Sequence, residues 1–279
     1  MYKDILNFKF ILLQKRFKRH FMIDKLKHII KKYFWKIVLK NKIFGVAEKN
    51  NREFLIFPNH SIFPQKNTLN IFSKQNEDGI LLSIVKEIEC QNNLFIDIGS
   101  NDCINSNCAN LAFHHGWKGC FIDGNKRVLN RGKYIYEKHF TDLTNDFSFI
   151  NAIVTVDNIN LIISQLAGYK KIDLMCIDLD GNDYFIWDAI NIINPKIVLV
   201  EVQVEKGNLE FIPNNNTEFE LFESDTPKGA SPLSMILLAN KKGYELVSAN
   251  KGCFNLFFVK KEFLKGLESL NVNKALTAK

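Results

Sequence analysis

Short apolar runs recur along the middle of the chain, and most of them end on an acid. Leu94-Phe95-Ile96 runs into Asp97-Ile98-Gly99, Gly119 to Ile122 ends at Asp123, and Phe147 to Val154 follows. Ile172 to Ile177 ends at Asp178-Leu179-Asp180, and Ile197 to Val200 ends at Glu201. Runs this short read as strands. Helical segments alternate with them: one through Leu111 and Phe113, then Asn125 to His139, Val156 to Leu166, and Tyr184 to Ile193, which Pro195 stops. Before the first strand, Asn76 is placed to cap a helix reaching about Glu89, with Ile80, Leu81, Ile84, Val85 and Ile88 inward. Ser231 to Lys242 is a further helix. Tyr244 to Val247 and Phe254 to Val259 are strands joined by Ala249 to Gly252 as a hairpin. The pattern predicts an α/β chain with a doubly wound, Rossmann-like sheet, mostly parallel with one antiparallel strand.

The front of the chain is different. Met22, Leu26, Ile29, Ile30, Tyr33, Ile37 and Val38 share one helical face, and Lys25, Lys32 and Lys36 fall largely away from it. No apolar run approaches the roughly 20 residues that span a bilayer. Residues 1–43 carry thirteen Lys and Arg against Asp4 and Asp24, a net +11, while the remainder carries 24 against 28, a net −4. The whole-chain +7 therefore hides a basic helical extension on a mildly acidic body. Such a helix suits an anionic membrane surface or an acidic partner, and equally suits packing on its own body. No nucleic-acid motif accompanies the charge, so nucleic acid is not an expected partner. The expected organisation is a basic extension over 1–43, a connector over 44–69 with little helix signal, the α/β domain over 70–260, and a basic tail over 261–279 that frays. Six scattered cysteines without a secretory signal or zinc spacing read as reduced, buried thiols. The expected location is cytoplasmic, with the basic helices adding a peripheral association at the inner membrane face.

Acids at the ends of parallel strands face one crevice, where open α/β sheets bind ligands. Gly99 lets the backbone approach a ligand that a side chain would block. Asp123, closing the second strand, is placed to accept hydrogen bonds from ribose hydroxyls. The first loop runs Gly99-Ser100-Asn101-Asp102-Cys103, without the G-x-G-x-x-G that a dinucleotide pyrophosphate needs. A nicotinamide-linked oxidoreductase is therefore a distant alternative. S-adenosylmethionine, with a ribose and an adenine but no phosphate, fits better. Asp97 and Asp102 are placed for its amino acid end, Gly99 and Ser100 for the loop beneath it, Asp123 for its ribose and Asn151 for the edge of its adenine.

The segments Glu77-Asp78-Gly79-Ile80, Phe95-Ile96-Asp97-Ile98-Gly99, Gly116-Trp117-Lys118-Gly119 and Ile177-Asp178-Leu179-Asp180-Gly181-Asn182-Asp183-Tyr184 resemble, in order and spacing, the FkbM-type group of S-adenosylmethionine-dependent methyltransferases. Gly229-Ala230-Ser231, Lys242-Gly243-Tyr244 and Asn255-Leu256-Phe257-Phe258-Val259 are similar to that group's C-terminal half. The match spans about residues 70–260. It implies a class I methyltransferase sheet and O-methylation of a sugar or other small-molecule hydroxyl, as in a capsule or other surface polysaccharide precursor. Asn101 and Cys103 stand where methyltransferases often have glycines.

An alcohol attacks a methyl sulfonium only when a base or a metal ion takes its proton. Asp180 and Asp178 are the candidate catalytic acids, with Asp180 the expected general base. Alternatively Asp178, Asp180 and Glu201 hold Mg²⁺, whose preference for hard oxygen ligands suits carboxylates. Asp183 and Glu201 are the candidate acceptor-binding acids; Asp183 also suits a helix cap. His114 and His115 read as packing residues, and His60 as a remote lid candidate. The long stretch 204–229 reads as a lid or substrate loop whose acids disfavour a strongly anionic acceptor. A second functional reading is a non-catalytic methyltransferase-like scaffold that recruits partners or a membrane through its basic helices.

Overall fold

The computed structural model describes residues 23–56, 69–140, 146–166, 169–213 and 229–277. His60 and most of the stretch 204–229 lie outside these residues. Seven strands form one sheet: β1 (Leu94–Ile98), β2 (Lys118–Asp123), β3 (Phe147–Asn151), β4 (Leu174–Ile177), β5 (Ile197–Glu201), β6 (Tyr244–Ala249) and β7 (Asn255–Lys260). Their order is β3-β2-β1-β4-β5-β7-β6, with β7 antiparallel to both neighbours and the first five strands mutually parallel. The expected doubly wound sheet with one antiparallel strand is what forms.

The strand residues sort by alternation into two apolar layers. Phe95, Phe121, Leu174, Cys176, Ile197 and Leu199 bury on the side of α5 (Glu77–Glu87), α6 (Ala109–His115) and α7 (Lys126–His139). That layer is rich in aromatics: Tyr136 of α7 meets Phe113, Phe121 and Phe147 at ring-centroid distances of 4.8, 5.2 and 4.9 Å. Ile96, Ile98, Ile122, Met175, Ile177, Val198 and Val200 bury on the opposite side, under α8 (Ile159–Ser164), α9 (Asp183–Ala189) and α10 (Pro232–Lys241). Trp187 packs there against Tyr244 and Phe258.

Three expectations need correction. Asn76 does not cap α5 with its side chain: its φ is 72° and its Oδ1 accepts from Asn70. The start of α5 is held by its own acids instead. Asp78 accepts the amides of Ile71, Phe72 and Ser73, and Glu77 accepts that of Gln75. The 44–69 connector contains α4 (Val46–Ile56), whose helical pattern escapes apolar periodicity because its anchor is polar. Asn51 and Asn110 exchange amide hydrogen bonds of 3.1 and 3.0 Å. The described part of the tail, 261–277, packs rather than fraying: Asn271 caps α11 (Val272–Leu276), and Leu270, Val272 and Ala275 are buried.

The N-terminal extension is helical over 23–33 (α1), then α2 (Trp35–Val38) and α3 (Lys40–Ile43). Trp35, Leu39 and Ile43, spaced by four, bury in the aromatic layer, and Lys42 donates to the Phe72 carbonyl. His114 and His115 meet the Lys42 carbonyl and Asn51 at 2.7 and 2.8 Å, so both imidazoles serve packing. Among the described residues, no helix is long and apolar enough to cross a membrane.

Candidate active site

The same alternation that builds the core aims the acids. Asp97 follows Phe95, Asp178 follows Leu174 and Cys176, and Glu201 follows Ile197 and Leu199, so all three turn towards the α5 side at the strands' C-terminal ends. The β1 and β4 ends are in intimate contact there. Gly99 has φ +86°, and a Cβ on it would lie 1.8 Å from the Asp178 carbonyl oxygen. Only glycine lets the two loops close on each other at this point.

The loop after β1 folds back onto β2. The amides of Gly99 and Ser100 donate to the Ile122 carbonyl at 2.9 and 3.1 Å, and Ser100 Oγ donates to the same oxygen, so this side chain serves the loop. Asn101 and Cys103, where glycines were expected, have φ of 49° and 57°. The residue types depart from the pattern while the backbone keeps the left-handed conformation that glycine favours. Asn adopts it readily. The buried Cys103 is held there by Tyr136, whose hydroxyl donates to its carbonyl.

Asp102, a candidate for the cofactor's amino acid end, is turned into the loop. Its carboxylate accepts from the Ile104 and Asn105 amides, from Asn105 Nδ2 and from Arg131 Nη2 at 2.6 Å. Burial pushes its pKa up, but the hydrogen bonds from Asn105 and Arg131 outweigh it and leave it below the ordinary value. Arg131 reaches on to His28 of α1 at 3.2 Å, so the extension and the loop share one polar link. Arg131→Met is therefore expected to cost about 3 kcal/mol of stability by stranding a buried carboxylate. A denaturant midpoint equal to the parent's would show that the loop does not depend on this pair.

Among the described residues, no cation pairs with Asp97. It is fully buried, accepts a hydrogen bond from Ser106 Oγ, and is pushed up to about 7, first by desolvation and then by repulsion from Asp178 and Asp123. Asp123, at the tip of β2, accepts the amides of Asn101 and Asn125, each at 2.7 Å, which fixes both carboxylate oxygens at the crevice edge. Asn151 spends its amide on the Asp123 and Gly124 carbonyls. Ile153, which the sequence reading did not single out, stands beside Gly124 and is 60% exposed, an apolar plate next to Asp123.

At the other end of the crevice, carboxylate oxygens of Asp178, Asp180 and Glu201 lie within 4.8 Å of one another. Asp178 and Glu201 are hydrogen-bonded, and both are pushed above the ordinary carboxylate range by burial first and then by the neighbouring acids. Asp180 is exposed at the rim with φ 51°. Asp183 turns inward instead: it is buried and accepts the Leu179 and Gly181 amides at 2.8 and 3.0 Å, so it shapes the 178–183 turn. Gly229 lies against Gln203 and Gly181, which brings the start of the α10 segment to the same rim. Glu77 completes the wall. Its Oε1 accepts from Asn250 and Asn255 at 2.8 and 3.2 Å, and Asn255 is the register partner of Glu201. The acidic motif at Glu77 was visible in the sequence; its two asparagine partners were not.

No known protein family matches the chain, and no curated protein matches it. Solved structures do align with it. The N-terminal domain of EvdMO1 with SAH bound is 10% identical, covers 77% of this chain and 95% of that one, and has a TM-score of 0.44. The O-methyltransferase from Bacillus cereus in complex with SAH is 13% identical, over 77% of this chain and 90% of that one, also with a TM-score of 0.44. The METTL16 MTase domain is 14% identical over 45% of this chain, with a TM-score of 0.33. This chain spans about half of that domain, 51%. The fold itself is the seven-stranded, doubly wound Rossmann-like sheet in the order β3-β2-β1-β4-β5-β7-β6. At these identities and scores the likeness assigns no activity, which has to come from the residues themselves.

Proposed function

We propose that the chain is an S-adenosylmethionine-dependent O-methyltransferase of the FkbM type, acting on a hydroxyl of a sugar or glycoconjugate precursor. The observation that carries the reading is the approach of three carboxylates, Asp178, Asp180 and Glu201, to within 4.8 Å beside the glycine turn at Gly99. The residues around that turn suit the cofactor. Asp97 is a desolvated carboxyl in want of a cation, the chemistry that an α-ammonium group satisfies. Asp123 offers the remaining lone pairs of two fixed oxygens to ribose hydroxyls. Ile153 offers an apolar face for a flat base.

When bound, the sulfonium supplies an electrophilic methyl group. The protein aligns the acceptor oxygen and takes its proton. Asp180, exposed at the rim, is the group that receives the hydroxyl proton, while the Asp178–Glu201 pair accepts hydrogen bonds from neighbouring hydroxyls and fixes the acceptor. Glu77, held by Asn250 and Asn255, keeps β7 and the Glu201 strand in place behind them. Asp180→Asn is expected to leave S-adenosylhomocysteine affinity unchanged and to lower methyl transfer at least about a hundredfold, measured with labelled cofactor and a panel of nucleotide sugars. Normal turnover by that variant would remove Asp180 from the mechanism.

A second reading of the same acids has its own support. Three carboxylate oxygens this close form the hard donor set that Mg²⁺ accepts. The cation would then replace the proton held by the Asp178–Glu201 pair. The two readings differ in pH behaviour. Without a cation, burial first and then the neighbouring acids (Asp180 beside Asp178; Asp178, Asp183 and Asp180 beside Glu201) hold both members of the pair up, so kcat/KM rises with pH as their shared proton leaves. Saturating Mg²⁺ moves that rise to lower pH if the metal reading holds, and leaves it in place if it does not.

A further inference from the structure

The amphipathic extension has two apolar faces, and the body uses only one. Trp35, Leu39 and Ile43 are buried against the aromatic layer. The backbone hydrogen bonds from Phe34 to Ile30, Val38 to Phe34 and Leu39 to Trp35 carry the helical phase from α1 through α2. At about 100° per residue, Ile23, Leu26, Ile30, Tyr33, Phe34 and Ile37 then form one stripe roughly 100° wide, on the side opposite Trp35 and Leu39. All six are exposed, Leu26 at 56%, Phe34 at 53% and Ile37 at 75%.

Charge frames that stripe on both sides. Lys27 and Lys31 follow one border in helical phase, and Lys36 and Lys40 follow the other; all four are exposed. Between residues 23 and 44 the chain has seven lysines and a single acid, Asp24. The preceding sequence continues in kind, with Phe8, Phe10, Leu12 and Leu13 beside Lys15, Arg16, Lys18 and Arg19. We propose that this stripe docks the protein on an anionic lipid surface, with α1 and α2 lying in the plane of the headgroups.

Charge complementarity selects that occupant. The stripe's apolar side chains enter the interface while lysines on both borders reach anionic headgroups, the arrangement of an in-plane helix. A second copy of this chain would bring two rows of lysines against two more, so self-association through the stripe meets repulsion at every border. The described helices are too short and too charged to cross the bilayer, so the helix lies on the membrane. The inference does not depend on methyl transfer.

The test is co-sedimentation of the full-length protein with vesicles of phosphatidylcholine alone or mixed with phosphatidylglycerol. The expected result is binding to the mixed vesicles only, weakened by added salt. Leu26→Glu/Ile30→Glu/Ile37→Glu should lower the bound fraction about tenfold or more with an unchanged melting temperature, because the replaced side chains are in water. Lys27→Ser/Lys36→Ser/Lys40→Ser, which leaves the apolar stripe intact, should weaken binding to the mixed vesicles as well. Failure of the parent protein to bind mixed vesicles at low salt would overturn the proposal, as would normal binding by the triple glutamate variant. A concentration-dependent dimer that this variant abolishes, with no vesicle binding by the parent, would assign the stripe to a second copy.

Discussion

Gly99→Ala is expected to destabilise the protein by about 3 kcal/mol or more and to abolish cofactor binding. Two costs meet at this position. The backbone sits at φ +86°, where an L side chain is strained, and the added methyl would overlap a main-chain oxygen, Asp178 O, at 1.8 Å. A backbone atom cannot rotate away, so β1 and β4 must part at the crevice. Gly116→Ala is the matched control. Gly116 has φ +67° with nothing within 4 Å of its added Cβ, so it bears the conformational cost alone, about 1 kcal/mol. Denaturant midpoints of the two variants separate the contact from the strain. Equal losses would mean that the β1–β4 contact does not constrain the crevice.

Asp97→Asn is expected to move stability and binding in opposite directions. Burial raises the Asp97 carboxyl to about 7, so the folded state favours its proton. Its contribution to stability is therefore complete below the ordinary carboxylate range and is lost as pH rises through about 7. Asparagine keeps an acceptor for Ser106 and never ionises. The variant should be more stable than the parent at about pH 8, by roughly 2 kcal/mol, and the difference should shrink as pH falls and vanish only below about pH 4. Affinity for S-adenosylhomocysteine should fall about a hundredfold, because a neutral amide no longer balances the ligand's ammonium. Thermal melts at the two pH values check the first half and titration checks the second. A variant that loses stability at high pH would contradict the desolvated carboxyl, and one that binds normally would place the ammonium elsewhere.

What could be read from the sequence was periodic or local. The apolar runs gave the five parallel strands, and the acids that end them gave Asp97, Asp123, Asp178 and Glu201, because a parallel sheet sends every strand end to one edge. The connection by hairpin from Tyr244 to Val259 gave the antiparallel strand. What escaped depends on partners far along the chain. Asp102 reads as a ligand in the sequence because its partner, Arg131, stands 29 residues away on α7. Ser100, Asn151 and Asp183 likewise turn to backbone groups that a linear reading cannot place. Asn250 and Asn255 reach Glu77 across more than 170 residues. At α1 and α2 the more conspicuous apolar face drew attention, and the quieter series Trp35, Leu39, Ile43 is the one that packs. The glycine-poor first loop illustrates a different limit. Asn101 and Cys103 break the sequence pattern yet adopt the left-handed backbone that glycine favours, and only the φ angles reveal this.

The proposed function requires the acids at the ends of β1 and β2 to hold an S-adenosyl cofactor. The most direct test is calorimetric titration of the full-length protein with S-adenosylhomocysteine, with and without Mg²⁺. The expected result is saturable binding in the micromolar range with one ligand per chain, weakened in Asp97→Asn and in Asp123→Ala. No saturable heat at millimolar ligand, with or without Mg²⁺, would overturn the cofactor assignment and leave the Rossmann-like sheet serving as a scaffold.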